Sequence, residues 1–262
     1  MTFFPRARNL LLFARALISI VRFGSRKKVP KGPPRKVLIT QFGQLGDMVC
    51  VTPVFRALKA HFPHVRVYVL GNALNREVLE GNSDVDEYIV FSEKNLAPII
   101  DRLVKEQIDV ACMRGFGFAG LAAAFIAGIP TIITPYAGGK NKTLQTRMYR
   151  MLLPFAITVE YIFGSYMPLQ FLHLLRPLGI VSSDTKKHLA FSGAALEKII
   201  QLHATHGLTP KKDFIVGITP TAGNKIKEWP AERFAQVADY LIERLHAKVI
   251  LMGGPQDREK VQ

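Results

Sequence analysis

An α/β fold with a parallel, doubly wound sheet is predicted by three features of this 262-residue chain. Strand and helix signals alternate from residue 36 to residue 134, the pattern of repeated βαβ units. The run Arg35-Lys36-Val37-Leu38-Ile39-Thr40-Gln41-Phe42-Gly43-Gln44-Leu45-Gly46-Asp47 reads as a buried strand, a glycine-bearing turn and an acidic helix start. The same strand–glycine turn–helix logic restarts at residue 214. Two Rossmann-like domains are therefore expected, the second incomplete because only two strands are supplied for it.

Residues 1–34 stand apart. The segment 10–23 is strongly apolar, but Arg15 interrupts it and Arg6, Arg8 and Arg22 flank it. Arg8, Arg15 and Arg22 recur every seven residues and so share one side of a helix, which leaves Leu11, Leu12, Ile18 and Val21 to fill the rest. The segment is too short and too charged to span a bilayer, which needs about 20 apolar residues, and no small-residue cleavage site follows it. An interfacial amphipathic helix is expected, followed over 25–36 by a basic, proline-rich linker that anionic headgroups would attract. The alternative is a helix docked on the chain's own body.

After the linker, residues 36–40 form the first strand, and a helix over 47–62 stops before Pro63. A second strand over 65–70 closes at Gly71-Asn72, and a short helix over 75–80 stops at Gly81-Asn82. A third strand over 87–91, a helix over 96–106, a fourth strand over 110–113, an alanine-rich helix over 121–127 and a fifth strand over 131–134 follow. Between 138 and 180 the pattern changes. Lys140, Lys142, Arg147 and Arg150 stud a helix leading into 151–154, an aromatic stretch (Tyr161, Phe163, Tyr166, Phe171) follows, and another helix runs to 177–180. A helix over 193–207 reads as a bridge, after which come a strand over 214–219, a glycine turn at 221–224, a helix over 231–246 and a strand over 248–252. The expected domains are 1–34 (helix and linker), 35–190 (N-terminal Rossmann-like domain), 191–212 (interdomain helix) and 213–262 (partial C-terminal domain).

Charge is the compositional outlier: 35 Lys+Arg against 20 Asp+Glu leave the chain at +15. Such a surface attracts polyanions, here an acidic membrane surface or a phosphorylated glycolipid. Nucleic acid is disfavoured, because zinc-finger spacing, an aromatic RNP-like run and a basic zipper are all missing from the sequence. Cys50 and Cys112 lie in apolar stretches and suit reduced core thiols of a cytoplasmic protein better than a disulfide framework. The histidines are scattered without HExxH spacing and no CxxC occurs, so no metal site is expected.

The chemistry concentrates at Asp47. It places a carboxylate at the carboxyl end of the first strand, where open α/β sheets collect their ligands. A nucleotide pyrophosphate needs a helix N-terminus free of negative charge, so this turn is expected to offer a base or an acceptor-binding group; a plain N-cap is the alternative. Gly43-x-x-Gly46 is not GxGxxG, and the second strand ends at Leu70-Gly71-Asn72 without an acidic ribose hook, which argues against a nicotinamide dehydrogenase. Gly115-x-Gly117-x-x-Gly120 has the right spacing but lies far from the first strand and reads as a close-packed loop. Asp84-Val85-Asp86 has DxD spacing in what reads as a turn. Lys140, Lys142, Arg147 and Arg150 could grip acceptor phosphates or carboxylates, or form a solvated basic face.

An ordered set of motifs carries a resemblance over roughly 35–262. It comprises Gln44-Leu45-Gly46-Asp47, Thr52-Pro53 with Arg56-Ala57-Leu58-Lys59, Phe62-Pro63, and Glu80-Gly81-Asn82 before Asp86-Glu87. Further on come Thr219-Pro220-Thr221-Ala222-Gly223, Lys227-Glu228-Trp229-Pro230 with Arg233-Phe234, and Leu251-Met252-Gly253-Gly254-Pro255-Gln256-Asp257. The chain resembles the heptosyltransferases of glycosyltransferase family 9, which implies a GT-B architecture of two facing Rossmann-like domains. The resemblance implies transfer of heptose from ADP-heptose to a lipopolysaccharide core acceptor, with inversion, no metal and no cofactor, by a cytoplasmic protein on the inner membrane. It makes Asp47 the general base and implies a donor site of Thr221, Ala222, Gly223, Lys227 and Gln256, the last standing where many family members carry glutamate. Gln44, Lys140, Lys142 and Arg147 are the expected acceptor-side residues, and Trp229, beside Pro230, is expected to anchor the following helix rather than to stack on adenine. A DTGxxH-like helix start is expected beyond Gln262. A catalytically inactive relative that binds anionic glycolipid or a partner protein is the alternative, and a Rossmann protein that is not a transferase is a third reading.

Overall fold

The computed structural model describes residues 3–254, 257 and 258 and divides into two compact units, Met1–Ala190 and Phe191–Gln262. In the first unit the strands β1 (Lys36–Gln41), β2 (Arg66–Gly71), β3 (Glu87–Val90), β4 (Val110–Cys112), β5 (Thr131–Tyr136) and β6 (Ile157–Glu160) form one sheet in the order β3-β2-β1-β4-β5-β6. Every pairing is parallel. This is the doubly wound order in which the winding direction reverses between β1 and β4, leaving a crevice outside their carboxyl ends.

The central strands read as unbroken apolar runs because both sheet faces are covered. Side chains alternate between the faces: Leu38, Tyr68, Leu70, Ala111 and Ile132 enter one core, while Val37, Ile39, Val67, Val69, Val110 and Ile133 enter the other. The second core is closed by α2 (Leu45–His61) and α6 (Met167–His173), which supply Met48, Phe55, Leu58, Phe171 and Leu172. The first is closed by α3 (Ala97–Glu106), α4 (Phe118–Ile126) and α5 (Arg147–Leu152). Cys112 is fully buried, and burial pushes its thiol up to about 12.

The helix α4 is apolar on all sides, with residues 118–125 all buried. A helix of that composition needs cover on both faces, and α1 (Phe3–Phe23) provides it. Leu12, Phe13, Ala16 and Ile20 of α1 join the core beside α4, and the Ser19 hydroxyl donates to the Phe125 carbonyl. Part of the basic linker is structural too. Arg26 is buried, donates from Nη2 to Ser19 Oγ at 3.2 Å, and its guanidinium pKa is pulled down by burial. Its backbone is stitched to the body by Arg26 N–Phe155 O (2.7 Å) and Ile132 N–Arg26 O (3.1 Å). Docking on the body therefore accounts for one face of the N-terminal helix, and Arg26 is not free for headgroups.

Two sequence expectations need correction. The basic segment from Lys140 does not run as one helix: a 3-10 turn over Gly139–Leu144 precedes α5. The break falls where Gln145 is buried and donates to the Ala137 carbonyl at 2.7 Å, and where Thr146 caps α5 by accepting from Tyr149 N. The stretch read only as aromatic contains β6, an edge strand whose exposure alternates.

In the second unit, α7 (Gly193–Thr205) and α8 (Ala231–Leu245) accompany β7 (Ile215–Ile218) and β8 (Lys248–Leu251), which pair in parallel. That is one βαβ unit, and β7 runs into the glycine turn followed by a 3-10 helix over Lys225–Lys227.

Candidate active site

The crevice at the β1/β4 reversal is built from the loops that leave those two strands. After β1 the chain turns through Phe42-Gly43 into α2, with Gln44 at its N-cap and Asp47 in its first turn. The Gln44 N–H donates to Asp47 Oδ2 at 3.0 Å, one arm of a capping box. Gln41 braces the turn from both sides: its Oε1 accepts from Gly43 N (2.8 Å) and its Nε2 donates to the Asp47 carbonyl (3.1 Å). Asn72 and Asn75 each donate to the Gly43 carbonyl, at 2.9 and 2.8 Å. Gly43 is required here for space. A Cβ on it would lie 2.2 Å from Asp47 Oδ2.

The loop after β4 brings Arg114, which the sequence reading did not single out. Its Nη2 sits 3.0 Å from Asp47 Oδ1, its backbone N–H donates to Thr40 Oγ1 at 2.8 Å, and its guanidinium stacks 4.8 Å from the centre of the Phe171 ring. The arginine side chain is 16% exposed and the aspartate 35%. The carboxylate is thus held on both oxygens while keeping one side open to solvent. Of Gly115-x-Gly117-x-x-Gly120, read from sequence as a loop, Gly115 and Gly117 belong to the same loop, whereas Gly120 lies in the first turn of α4. Gly115 adopts φ +81°, and a Cβ at Gly120 would strike the Phe42 ring at 2.8 Å, so these glycines serve loop geometry and packing.

An aromatic wall adjoins the pair. Phe116 from the β4 loop contacts Tyr161 and Phe163, which follow β6, at ring-centre distances of 5.5 and 6.3 Å. Tyr161 feels both members of the ion pair. Its pKa is raised chiefly by burial, with Asp47 reinforcing the shift and Arg114 opposing it. Flat aromatic faces beside a carboxylate suit a polyhydroxylated ligand, whose C–H faces stack while its hydroxyls reach the charged groups.

The remaining expected residues distribute as follows. Gln44 is exposed at the N-cap of α2. Lys140, Lys142 and Arg147 are exposed on the segment that follows β5 and make no ion pair among the described residues. Asp84-Val85-Asp86 is held structurally: Asp86 Oδ2 accepts from Lys59 Nζ (2.6 Å) and Val67 N (2.7 Å), and Asp84 N donates to Asn82 Oδ1 (3.0 Å). Thr52 and Arg56 of α2 anchor a later segment, through His188 N–Thr52 Oγ1 (3.0 Å) and Arg56 Nη2–Asp184 Oδ2 (2.9 Å).

In the second unit, Thr221, Ala222 and Gly223 line a cavity of about 550 Å³ together with Gly253 and Asp257. Gly254 N donates to Asp257 Oδ2 at 3.0 Å. Lys227 is exposed on the 3-10 helix after this turn and is not among the lining residues. Trp229 packs edge-on against Phe234 of α8 at 5.2 Å, the anchoring contact expected of it. Gln256 lies outside the described residues.

Residues 166–262 match the family model described as glycosyltransferase family 9 (heptosyltransferase). The chain is 24% identical over 220 residues to lipopolysaccharide heptosyltransferase 3 of Escherichia coli (strain K12), covering 80% of this chain and 60% of that protein. Among solved structures it resembles the family 9 glycosyl transferase of Veillonella parvula at a TM-score of 0.70 and 24% identity, over 87% of this chain and 65% of that one. It also resembles the E. coli ADP-heptose LPS heptosyltransferase II at a TM-score of 0.63 and 20% identity, over 86% and 66%. The chain therefore spans less than two thirds of the length of these relatives, and the likeness to the solved structures establishes the fold. The match over 166–262 and these similarities make the chain similar to the heptosyltransferases of glycosyltransferase family 9.

Proposed function

We propose that the chain acts in heptose transfer from ADP-heptose to a lipopolysaccharide-type acceptor, at the cytoplasmic face of the inner membrane. The observation that supports this best is the Asp47–Arg114 pair at the reversal point of the sheet, with one flank of the carboxylate open beside an aromatic wall. In the reaction, Asp47 takes the proton of the acceptor hydroxyl while that oxygen bonds to the anomeric carbon. The bond from that carbon to the diphosphate oxygen breaks, and ADP leaves with the electron pair, inverting the centre. Lys227 and the N–H groups of the Thr221–Gly223 turn would offset the charge on departing ADP. Lys140, Lys142 and Arg147 are the acceptor-side cations, free of intramolecular ion pairs among the described residues.

Arg114 is assigned as a positioning residue. It fixes the direction of the carboxylate through the 3.0 Å contact of its Nη2 with Asp47 Oδ1. Because misplacement of a reacting group by about 1 Å can cost roughly 10²-fold, Arg114→Ala is expected to lower kcat by that order with a smaller change in KM for ADP-heptose. Arg114→Lys should recover part of the loss, since charge is kept and the planar fork is not. Equal kcat for wild type and Arg114→Ala would remove this role.

The test of the reading as a whole is incubation of the chain with ADP-heptose and heptose-deficient lipopolysaccharide, following ADP release and mass gain of the acceptor. Transfer is expected. A second reading, a glycolipid-binding relative without transferase activity, draws on the exposed cations Lys140, Lys142 and Arg147, which suit an anionic ligand whether or not transfer follows. Acceptor binding with no ADP release selects it, and absence of both binding and release overturns the two together.

A further inference from the structure

The first forty-six residues hold ten Lys+Arg and not one Asp or Glu; the first carboxylate in the chain is Asp47. Within that stretch α1 has two apolar faces. The inner one, Leu12, Phe13, Ala16 and Ile20, is covered by the body. The outer one carries Leu10 (60% exposed), Leu11 (61%), Ile18 (65%) and Val21 (87%), with exposed Ala7 and Ala14 between them. At about 100° per residue these six fall in one sector of about 100°, opposite the docked face. Arg8, Arg15 and Arg22 line one edge of that sector. Arg8 is engaged by Glu93, whereas Arg15 and Arg22 are exposed.

We propose that the outer face of α1 lies flat in the headgroup–acyl boundary of an anionic phospholipid bilayer. Leu10, Leu11, Ile18 and Val21 enter the acyl region, and Arg15 and Arg22 reach lipid phosphates from the edge. The exposed Lys27, Lys28, Lys31 and Arg35 of the linker add longer-range attraction. The proposal rests on the reading of the chain as a membrane-surface enzyme and names the surface and the lipid chemistry. Among the described residues no helix is long and apolar enough to cross a membrane, and an apolar stripe with a basic edge is the pattern of a helix that lies in the interface plane. Charge argues against a second copy as the occupant. An antiparallel pair of such helices about a twofold axis would bring the arginine edges together, and neither α1 nor the linker carries an acidic residue to offset them in any pairing. Lipid phosphates supply that negative charge, and guanidinium groups match it in two-point geometry.

Flotation of the full chain with vesicles tests this directly. Binding is expected on vesicles containing phosphatidylglycerol, at least tenfold stronger than on phosphatidylcholine alone, and weakening as salt rises. Ile18→Gln with Val21→Gln should weaken flotation at least tenfold. Arg15→Gln with Arg22→Gln should abolish the preference for the anionic lipid. Both variants should unfold in urea at the wild-type midpoint, since these side chains do not pack on the body. Equal flotation on neutral and anionic vesicles, or unchanged flotation of both variants, overturns the proposal. So does self-association of the wild type that the Ile18/Val21 variant abolishes when neither form floats. Transfer to detergent-dispersed acceptor, measured in parallel, should be unchanged in both variants. Loss of flotation with transfer intact thus bears on the membrane face alone, and loss of transfer in the wild type bears on the enzyme reading alone.

Discussion

Asp47→Asn is expected to reduce heptose transfer by about 10²–10⁴-fold, the span that a positioned general base contributes, while binding of the acceptor glycolipid persists. Asparagine keeps an acceptor for the Gln44 N–H that Asp47 Oδ2 now accepts, so the first turn of α2 remains capped. It can no longer receive the hydroxyl proton, and it leaves Arg114, 16% exposed, without its counter-charge. Gly43→Ala gives an independent route to the same loss. The added methyl would lie 2.2 Å from Asp47 Oδ2, so the carboxylate must turn away although its chemistry is unchanged. A fall in transfer comparable to that of Asp47→Asn is expected, and it should show in kcat more than in KM for ADP-heptose, because both changes act on the carboxylate of the proposed base. Single-turnover release of ADP measures both. Transfer by Asp47→Asn within threefold of wild type would rule out the carboxylate as the base.

Much of this site is readable before any coordinates, for a physical reason. Asp47 follows a buried strand and a glycine turn, and in a parallel sheet the first such turn faces the ligand side. The strands themselves declare their positions, because Val37 to Ile39 and Val67 to Leu70 are buried on both faces of the sheet and so appear as continuous apolar runs. Arg114 was not readable in that way. It lies 67 residues from its partner, and only the order β3-β2-β1-β4 brings the loops after β1 and β4 side by side. The available signal was that Arg114 is the first charged residue after the fourth apolar run. β6 escaped because an edge strand lacks the double burial that marks its neighbours, although Ile157-Thr158-Val159 is a β-branched run. The helix at Lys140 was misread because a buried glutamine bonded to a carbonyl leaves no periodic trace in sequence. For the N-terminal helix the arginine spacing was visible, but which apolar face meets the body depends on α4, whose all-apolar surface called for a cover.

The inner face of α1 should prove as important to stability as any strand. Phe13 and Ile20 sit in the core beside α4 at 8% and 7% exposure, with Ala16 fully buried between them, close to the alanines of α4. Truncations of this kind cost about 3–5 kcal/mol for phenylalanine and about 2–5 kcal/mol for isoleucine. Phe13→Ala with Ile20→Ala should therefore remove about 5 kcal/mol or more, allowing for some coupling between neighbours. Domains are stable by only about 5–15 kcal/mol, so the first unit is expected to be largely unfolded or aggregation-prone in the double variant. The helix α4 explains why the loss spreads: residues 118–125 are buried all round, and loosening α1 exposes an apolar helix that has no polar face to turn outward. Urea denaturation followed by far-UV circular dichroism reads the effect as a drop in midpoint at similar slope. An unchanged midpoint would mean that α1 is not part of the folded core.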